Sequence, residues 1–261
     1  MGTEQPAEFY DGNFVERGDH YKKHYTELDC LPVWQTMFKQ LETSIQLHNG
    51  GLSSLFHQGS NSTAVKSEAD IHIVDLGCGT GQFAQMAADL GIGSYVGIDF
   101  SQEAITMASK IKLPDSYSFV VGDLKPKKTL HESGKMYTVQ SPDVLTEALK
   151  TDAPLTVVVT SEFLEHVPWD IPLLTSLPLG TYVIGSVPNQ DSEGHVRWFG
   201  SVSDVVKRYS RCVYIMDARH CVPAAPEHYS FMGVVWPEQS GQGVLMGVPD
   251  CPHVLSYDYG L

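Results

Sequence analysis

The sequence predicts an α/β fold in which helices cover both faces of a mainly parallel sheet. Two observations support this class. From residue 71 onward, short apolar runs alternate with stretches of helical character, which is the pattern of repeated strand–helix–strand units. After residue 202 the alternation gives way to two apolar runs joined by a proline-rich segment, which predicts an antiparallel addition to the same sheet. The expected architecture is therefore a Rossmann-like, doubly wound sheet with an antiparallel C-terminal edge and an N-terminal helical cap.

The first 66 residues are predicted to form the cap and a connector, and residues 67–261 the core domain. The segment LPVWQTMFKQLETSIQL places five apolar residues at helical spacing, which predicts a helix with one buried face. These residues are Leu31, Trp34, Phe38, Leu41 and Ile45. The following HNGG marks the end of the helix, and a serine-rich connector leads into the core.

In the core, five parallel strands are predicted in chain order: IHIVDL, SYVGIDF, YSFVVGDL, PLTVVVTSEFL and GTYVIGSVPN. The helices expected between them are GQFAQMAADLG, SQEAITMASKI, PDVLTEALKT and WDIPLLTSL. SVSDVVKRY is a further helix, and CVYIMDARHCV and YSFMGVVW are the strands of the antiparallel edge. Because right-handed crossovers place the carboxyl ends of parallel strands at one edge, ligands are expected there.

Composition narrows the classes of partner. The 261 residues include 31 acidic and 17 basic ones, which gives a formal net charge of −14 and disfavours a nucleic-acid substrate. The dense basic group KPKK, residues 125–128, is predicted to be a solvated loop. No apolar run approaches the roughly 20 residues that span a membrane. Five scattered cysteines without a CxxC pair favour free thiols and a cytoplasmic location. The oligomeric state is not predicted.

The first predicted strand runs into a glycine-rich loop, IVDLGCGTGQF. Gly77, Gly79 and Gly81 alternate with other residues, whereas dinucleotide-binding proteins carry GxGxxG and would need a glycine at Gln82. The acidic Asp75 just before the loop is a poor neighbour for a pyrophosphate, but it suits an ammonium or sulfonium group. The loop therefore predicts close approach of the backbone to a positively charged cofactor.

The next two strands also end in acidic residues. Asp99 follows the loop by about 20 residues, the spacing at which a carboxylate accepts both ribose hydroxyls of an adenosine. Phe100 is expected to lie against the adenine ring. Asp123 is expected to accept from the adenine amino group, with Leu124 packing on the ring. Three successive strands that end near an aspartate (Asp75, Asp99 and Asp123) predict an adenosine-containing cofactor far more strongly than the glycines alone.

Four motifs in a fixed order, VDLGCGTG, GIDFS, GDL and SEFLEHV, resemble those of class I S-adenosylmethionine-dependent methyltransferases. The resemblance covers residues 71–188. It implies that S-adenosylmethionine is the cofactor and S-adenosylhomocysteine the product. It also implies that Gly77, Gly79 and Gly81 approach the methionine part, Asp99 the ribose and Asp123 the adenine. The stretch 124–154 departs from the family pattern and is interpreted as an insertion.

The fourth strand is followed by an ExxEH cluster, Glu162, Glu165 and His166. It resembles the ExLEHV element of ubiquinone-biosynthesis-like O-methyltransferases. It also resembles the ExxEH of small-RNA 2′-O-methyltransferases, which hold a divalent metal together with a distant histidine. His195 is the next candidate, although it follows His166 more closely than those RNA enzymes suggest. His166 is a candidate general base, and Glu162 is expected to line the methionine end of the cofactor. A metal site at Glu162, Glu165 and His166 is possible but not favoured.

Two further segments are expected near the cofactor. The loop GHVRWF brings His195, with Arg197 and Trp198, over the same edge to orient a substrate; alternatively, its aromatic residues only pack the next helix onto the sheet. The N-terminal ERGDHYKKHY is predicted to be a lid in which Arg17 or Tyr21 meets the carboxylate of the cofactor.

The sequence thus predicts a methyltransferase that acts on an oxygen or nitrogen of a small-molecule substrate. His166, Glu162 and His195 are the catalytic candidates. The alternatives are an RNA or protein methyltransferase, and a non-catalytic module that only binds S-adenosylmethionine.

Overall fold

The computed structural model describes residues 4–16, 18–50, 64–130, 137–221 and 227–236. In these ranges the helices are α1 (Ala7–Glu16), α2 (Gly18–Tyr21), α3 (Leu31–Asn49), α4 (Gln82–Asp89), α5 (Gln102–Ala108), α6 (Asp143–Ala148), α7 (Asp170–Ser176) and α8 (Val202–Tyr209). The strands are β1 (Ile71–Leu76), β2 (Ser94–Asp99), β3 (Tyr117–Val121), β4 (Lys127–Leu130), β5 (Tyr137–Gln140), β6 (Leu155–Ser161), β7 (Tyr182–Pro188), β8 (Val213–Cys221) and β9 (His228–Val235). All the strands and helices predicted for the core are present.

The main sheet has seven strands in the order β3-β2-β1-β6-β7-β9-β8. The first five are parallel to one another, and β9 runs antiparallel to both β7 and β8. Every residue of β1 is buried, as expected for a strand covered by helices on both faces. The sheet confirms the predicted fold class, including the antiparallel C-terminal edge.

Helix α3 forms the cap over one face of the sheet and packs mainly against β7, β8 and β9. Trp34, Phe38 and Leu41 of its predicted apolar face are buried, and Leu31 and Ile45 pack against the same core. The helix ends at Gly50, as HNGG indicated. Because α3 shares a hydrophobic core with the sheet, it is held by burial of apolar surface rather than by helix propensity alone. The division of domains at residue 66 stays a prediction.

Serine caps start the helices that position the ligand edge. The hydroxyl of Ser101 accepts a hydrogen bond from the backbone N–H of Ala104 at 3.0 Å, which confirms the predicted N-cap of α5. Ser201 caps α8 in the same way through Asp204. The cap at Ser101 begins α5 two residues after Asp99, so that Asp99 stays at the strand tip.

Part of the insertion forms an antiparallel hairpin of β4 and β5, followed by α6. The prediction of a loop at residues 125–128 is wrong for Lys127 and Lys128, which begin β4. Charged side chains predict that a segment is exposed, but they do not show whether it forms a strand. Two strands pair through backbone N–H and C=O groups, which every residue type except proline carries. Lys127 is exposed as expected, with an ion pair to Asp143 at 3.5 Å.

Most of the serine-rich connector and the segment after residue 236 lie outside the described residues. None of the helices in the described ranges is long and apolar enough to cross a bilayer.

Candidate active site

A cavity of about 450 Å³ lies at the carboxyl ends of β1, β2, β3 and β6, beneath α1 and α2. It occupies the edge of the sheet at which ligands were expected. The predicted site residues that line it are Tyr21, Asp75, Gly77, Gly79, Asp99, Phe100, Asp123, Leu124, Glu162, His166 and His195. Gly81 and Glu165 do not line it, and Arg17 lies outside the described residues.

The three glycines of the loop after β1 have positive φ angles: 75° at Gly77, 52° at Gly79 and 87° at Gly81. Their surroundings differ. A Cβ at Gly77 would lie 2.4 Å from the ring of Phe163, and one at Gly81 would press on the hydrophobic packing of α5 and β3. A Cβ at Gly79 would meet no atom within 4 Å. The loop therefore leaves open space beside Gly79, whereas Gly77 and Gly81 allow close packing within the protein.

Asp99 joins the glycine loop to the tip of β2. One carboxylate oxygen accepts from the backbone N–H of Gly79 and the other from that of Ser101, both at 2.9 Å. Burial raises the pKa of Asp99, and these two backbone hydrogen bonds oppose that rise. Each oxygen retains acceptor capacity, so the carboxylate can receive two neighbouring hydroxyl groups.

Asp75 lies at the base of the cavity with an incomplete set of partners. Its Oδ2 accepts from the hydroxyl of Tyr95, whereas its buried Oδ1 has no hydrogen-bond partner. Burial raises the pKa of Asp75 to about 7. A positively charged group in the cavity would satisfy this side chain and favour its ionised form.

The residues expected to contact adenine lie together at the tips of β2 and β3. Phe100 keeps 41% of its surface exposed and contacts the ring of Tyr10 edge to face, with ring centroids 5.4 Å apart. Leu124 is buried, and the exposed Asp123 accepts from the backbone N–H of Lys125 at 2.8 Å. This end of the cavity thus offers apolar surface beside one carboxylate.

Helices α1 and α2 cover the cavity and are tied to it by hydrogen bonds. The indole N–H of Trp169 donates to Glu4 at 2.9 Å, and Ser101 donates to Asp11. The amide of Gln82 donates to the backbone carbonyl of Tyr21 at 2.6 Å. Most of this cover is α1, which precedes the segment predicted to be a lid, residues 16–25. From that segment Tyr21 lines the cavity, and its backbone carbonyl also accepts from Thr80 of the glycine loop.

His166 lies where the cover meets the loop after β7. Its Nδ1 is 3.1 Å from the carbonyl oxygen of Gly194 and 3.2 Å from the hydroxyl of Tyr10. Because a carbonyl can only accept, the contact with Gly194 requires a proton on Nδ1, which leaves the lone pair on Nε2. Burial, and secondarily the neighbouring His195, lowers the pKa of His166 to about 4. The imidazole is therefore neutral at physiological pH.

Glu165, His166 and His195 have potential ligand atoms within 4.8 Å of one another. Glu165 is fully buried and neither of its carboxylate oxygens has a hydrogen-bond partner. Nδ1 of His195 lies 3.2 Å from the carbonyl oxygen of Gln190, so its Nε2 also carries the lone pair. One carboxylate and two imidazoles could hold a divalent transition metal. Of the four residues that the sequence offered for a metal site that was not favoured, Glu165, His166 and His195 lie together and Glu162 does not belong to the group.

Glu162 is held in a separate network. Its Oε1 accepts from the hydroxyl of Ser186 at 2.7 Å, and its Oε2 lies 2.7 Å from Nε2 of His228. Its φ of 51° is in the left-handed region, which no other described residue apart from glycines occupies. The carboxylate lines the cavity beside the glycine loop.

A family model described as "Methyltransferase domain" matches residues 53–232. The chain belongs to this methyltransferase family. Its fold and ordered motifs are those of the class I S-adenosylmethionine-dependent enzymes. Magnesium protoporphyrin IX methyltransferase from Synechocystis PCC 6803, with bound S-adenosylhomocysteine, is 13% identical over 88% of this chain and 97% of that chain, with a TM-score of 0.51.

Two further solved structures are similar at lower TM-scores. N-methyltransferase NodS from Bradyrhizobium japonicum WM9 is 15% identical over 76% of this chain and 87% of that chain, with a TM-score of 0.41. A complex of the Haloferax volcanii Trm112 methyltransferase activator with a methyltransferase is 17% identical over 81% of this chain and 98% of that chain, at 0.45. No curated protein sequence matches the chain. The resemblance to ubiquinone-biosynthesis-like enzymes stays a prediction.

In this methyltransferase, the loop after β7 lines the cavity with Ser192, Glu193 and His195, and the ring centroid of His195 is 4.8 Å from that of His166. Arg197 instead pairs with the buried Asp170 at 3.3 Å and donates to a backbone carbonyl. Phe199 is buried against Tyr209. The alternative of a packing role thus holds for Phe199, whereas Trp198 is 45% exposed and does not line the cavity. Within GHVRWF, His195 is the residue that lines the cavity.

Among the residues that sequence reasoning missed, three contact Glu162 or His166: Tyr10, Ser186 and His228. Tyr10 lies in a polar, aromatic stretch interrupted by the turn-forming Asp11 and Gly12, and no periodicity identified it. Ser186 and His228 lie in apolar strands, where a single polar residue gives no sign of its partner. Their positions become informative only when β6, β7 and β9 are neighbours.

Replacing Gly77 with Ala is expected to destabilise the methyltransferase by about 1–3 kcal/mol, because the added Cβ would collide with Phe163 at a left-handed φ. Gly79→Ala is the matched variant. Its methyl group meets no protein atom, so the loss in stability should be smaller while the affinity for S-adenosylhomocysteine falls. Chemical unfolding and calorimetric titration of both variants measure the two effects. Equal losses of stability would contradict this assignment.

Asp75→Asn is expected to change how stability depends on pH. The pKa of Asp75 is about 7 in the folded protein against 3.8 ordinarily, so the folded state holds a proton that the unfolded state releases. The stabilisation is complete below pH 3.8 and is lost as the pH rises towards 7, by up to about 1.4 kcal/mol per pH unit. The variant lacks this slope. Urea unfolding at several pH values measures the pH dependence of the free energy of unfolding, with Asp115→Asn as control. Parallel plots of this free energy against pH for the wild type and Asp75→Asn would contradict the prediction.

Proposed function

We propose that the protein transfers a methyl group from S-adenosylmethionine to an oxygen or nitrogen of a small molecule, with His166 accepting the proton of the substrate. The observation that carries this proposal is that one cavity joins the glycine loop and Asp99 to a neutral histidine. Binding groups suited to an adenosine and a group able to accept a proton thus line the same cavity.

The donors and acceptors of the cavity fit this cofactor. When bound, S-adenosylmethionine supplies an electrophilic methyl group on a positively charged sulfur. Asp99 has acceptor capacity for the ribose, and the unpartnered Oδ1 of Asp75 suits a nearby positive charge. Among the described residues that line the cavity, six are acidic and none is lysine or arginine.

His166 would act through Nε2, since Nδ1 faces the carbonyl of Gly194. As the oxygen or nitrogen of the substrate gains a methyl group, it gains positive charge and its proton becomes acidic. Nε2 can take that proton at this stage even though its pKa is low, and the imidazolium then releases it to water. His195 and Tyr10 lie beside the ring and would orient the substrate.

The small-molecule class is supported by volume and by charge. A cavity of about 450 Å³ is within the range of small-ligand sites. Its acidic lining would repel a phosphodiester backbone. The four described cysteines are free thiols, which supports a reducing compartment such as the cytoplasm.

The proposal can be tested with S-adenosylmethionine that carries a labelled methyl group. The purified protein is incubated with the small-metabolite, RNA and protein fractions of a cell extract, with and without a chelator. Label is expected in the small-metabolite fraction and should not depend on the chelator. Label in RNA or protein would contradict the substrate class. Chelator sensitivity would assign Glu165, His166 and His195 to a metal, and cofactor binding without any transfer would support a non-catalytic module.

A further inference from the structure

Three neighbouring strands of the sheet contribute to one hydrogen-bonded network at the cavity. Glu162 follows β6, Ser186 lies near the end of β7, and His228 begins β9, which runs in the opposite direction and so starts where β7 ends. Ser186 and His228 are buried, whereas the side chain of Glu162 keeps 30% of its surface exposed. The network therefore presents one carboxylate to the cavity and shields the groups that hold it.

This network holds Glu162 at both its backbone and its side chain. The backbone N–H of Glu162 donates to the carbonyl of Ser186 at 3.3 Å, and the two carboxylate oxygens are bonded to Ser186 and His228. A glutamate rarely adopts a φ of 51°, and such a conformation persists only where surrounding contacts maintain it. Because each oxygen already has one protein partner, the carboxylate is fixed in direction but retains capacity for a ligand.

The position of Glu162 along the sheet indicates which part of a ligand it meets. Asp99 is at the tip of β2 and Glu162 at the tip of β6, with β1 and its glycine loop between them. Two strand spacings separate these tips, about 10 Å. If Asp99 holds the ribose, the amino-acid end of the cofactor extends across the loop towards Glu162. A carboxylate there suits the ammonium group of that end.

We propose that His228 is a positioning residue for cofactor binding: together with Ser186 it holds the carboxylate of Glu162 against the ammonium group of the cofactor. The inference rests on the proposed cofactor and adds a residue that no sequence motif identified. His228 would act only as a hydrogen-bond donor through Nε2. The side-chain amide of a glutamine at position 228, whose N–H lies at a similar distance from the backbone, should therefore be able to replace the imidazole.

The test measures binding of two unreactive ligands by calorimetry. S-adenosylhomocysteine carries the amino-acid end, and 5′-methylthioadenosine lacks it. His228→Leu and Glu162→Gln are expected to weaken binding of S-adenosylhomocysteine at least tenfold, as loss of a hydrogen bond to a charged group implies. Binding of 5′-methylthioadenosine should change less than twofold. His228→Gln should restore the affinity for S-adenosylhomocysteine to within about threefold of the wild type.

Matched measurements separate this role from a structural one. The control is His220→Gln. His220 is an exposed histidine on the adjacent β8 that pairs with Glu227 at 3.5 Å, and the variant should bind both ligands as the wild type does. Melting temperatures identify any variant that fails to fold. If His228→Leu does not fold, the binding measured for Glu162→Gln decides whether the proposal holds. Equal weakening of both ligands, or unchanged binding of S-adenosylhomocysteine in the folded variants, would overturn the proposal. A wild-type protein that binds neither ligand would refute the proposed cofactor itself.

Discussion

The Asp99→Asn variant is expected to bind S-adenosylhomocysteine at least 100-fold more weakly than the wild type. The two oxygens of Asp99 accept from the backbone N–H groups of Gly79 and Ser101. An asparagine offers one oxygen, and its NH₂ group would face an N–H donor. Each lost charged hydrogen bond costs about 1.5–3 kcal/mol, so losing one loop contact and one ribose contact exceeds 100-fold. Calorimetric titration measures the loss.

The control for this variant is Asp115→Asn, which removes the same charge from an exposed position before β3. It should bind S-adenosylhomocysteine as the wild type does. Circular dichroism shows whether the Asp99→Asn variant keeps its fold. A folded variant with an affinity within tenfold of the wild type would show that Asp99 does not hold the ribose.

His166→Ala is expected to lower kcat by about 10²–10⁴-fold while the affinity for S-adenosylhomocysteine changes less than twofold. General-base catalysis contributes an effect of this size, and His166 is bonded to Gly194 and Tyr10 rather than to the residues expected to hold the adenosine. Wild-type kcat should be constant above about pH 5 and fall as the pH drops through about 4, where His166 becomes protonated and loses its lone pair. The variant should lack this acidic limb.

His220→Ala is the control for His166→Ala, because it removes an exposed histidine that does not line the cavity. Its kcat and its pH profile should match those of the wild type. Initial rates with the substrate found by the labelling experiment provide the measurement. A His166→Ala variant that retains more than a tenth of wild-type kcat would rule out a proton-accepting role.

The cofactor half of the cavity could be described from the sequence to a large extent. Gly77 and Gly79 line the cavity, and the open space beside Gly79 agrees with the predicted close approach of a cofactor. Gly81 does not line the cavity and instead allows packing within the protein. Asp99 and Leu124 line the cavity as expected. Each of these residues belongs to a strand and the turn directly after it, so its place follows from local chain geometry and from the parallel order of the strands.

The helical cover was predicted only in outline. Helix α1 was not recognised, because Asp11, Gly12 and Asn13 are turn-forming residues and its apolar side chains show no clear helical repeat. The helix is held by contacts that are remote in sequence, such as that of Tyr10 with His166. The β4–β5 hairpin was missed for a related reason, since pairing through the backbone leaves no periodic signature in the side chains.

The sequence by itself therefore determined the fold class, the methyltransferase family and the end of the cavity that suits an adenosine. Only the tertiary structure decided which residues surround Glu162 and His166. His228 is 66 residues from Glu162, and Tyr10 is 156 residues from His166. The physical reason is that contacts within a strand–turn–helix unit are governed by local backbone geometry. Contacts between distant segments depend on how the strands are ordered and how the cap packs, which local residue patterns do not encode.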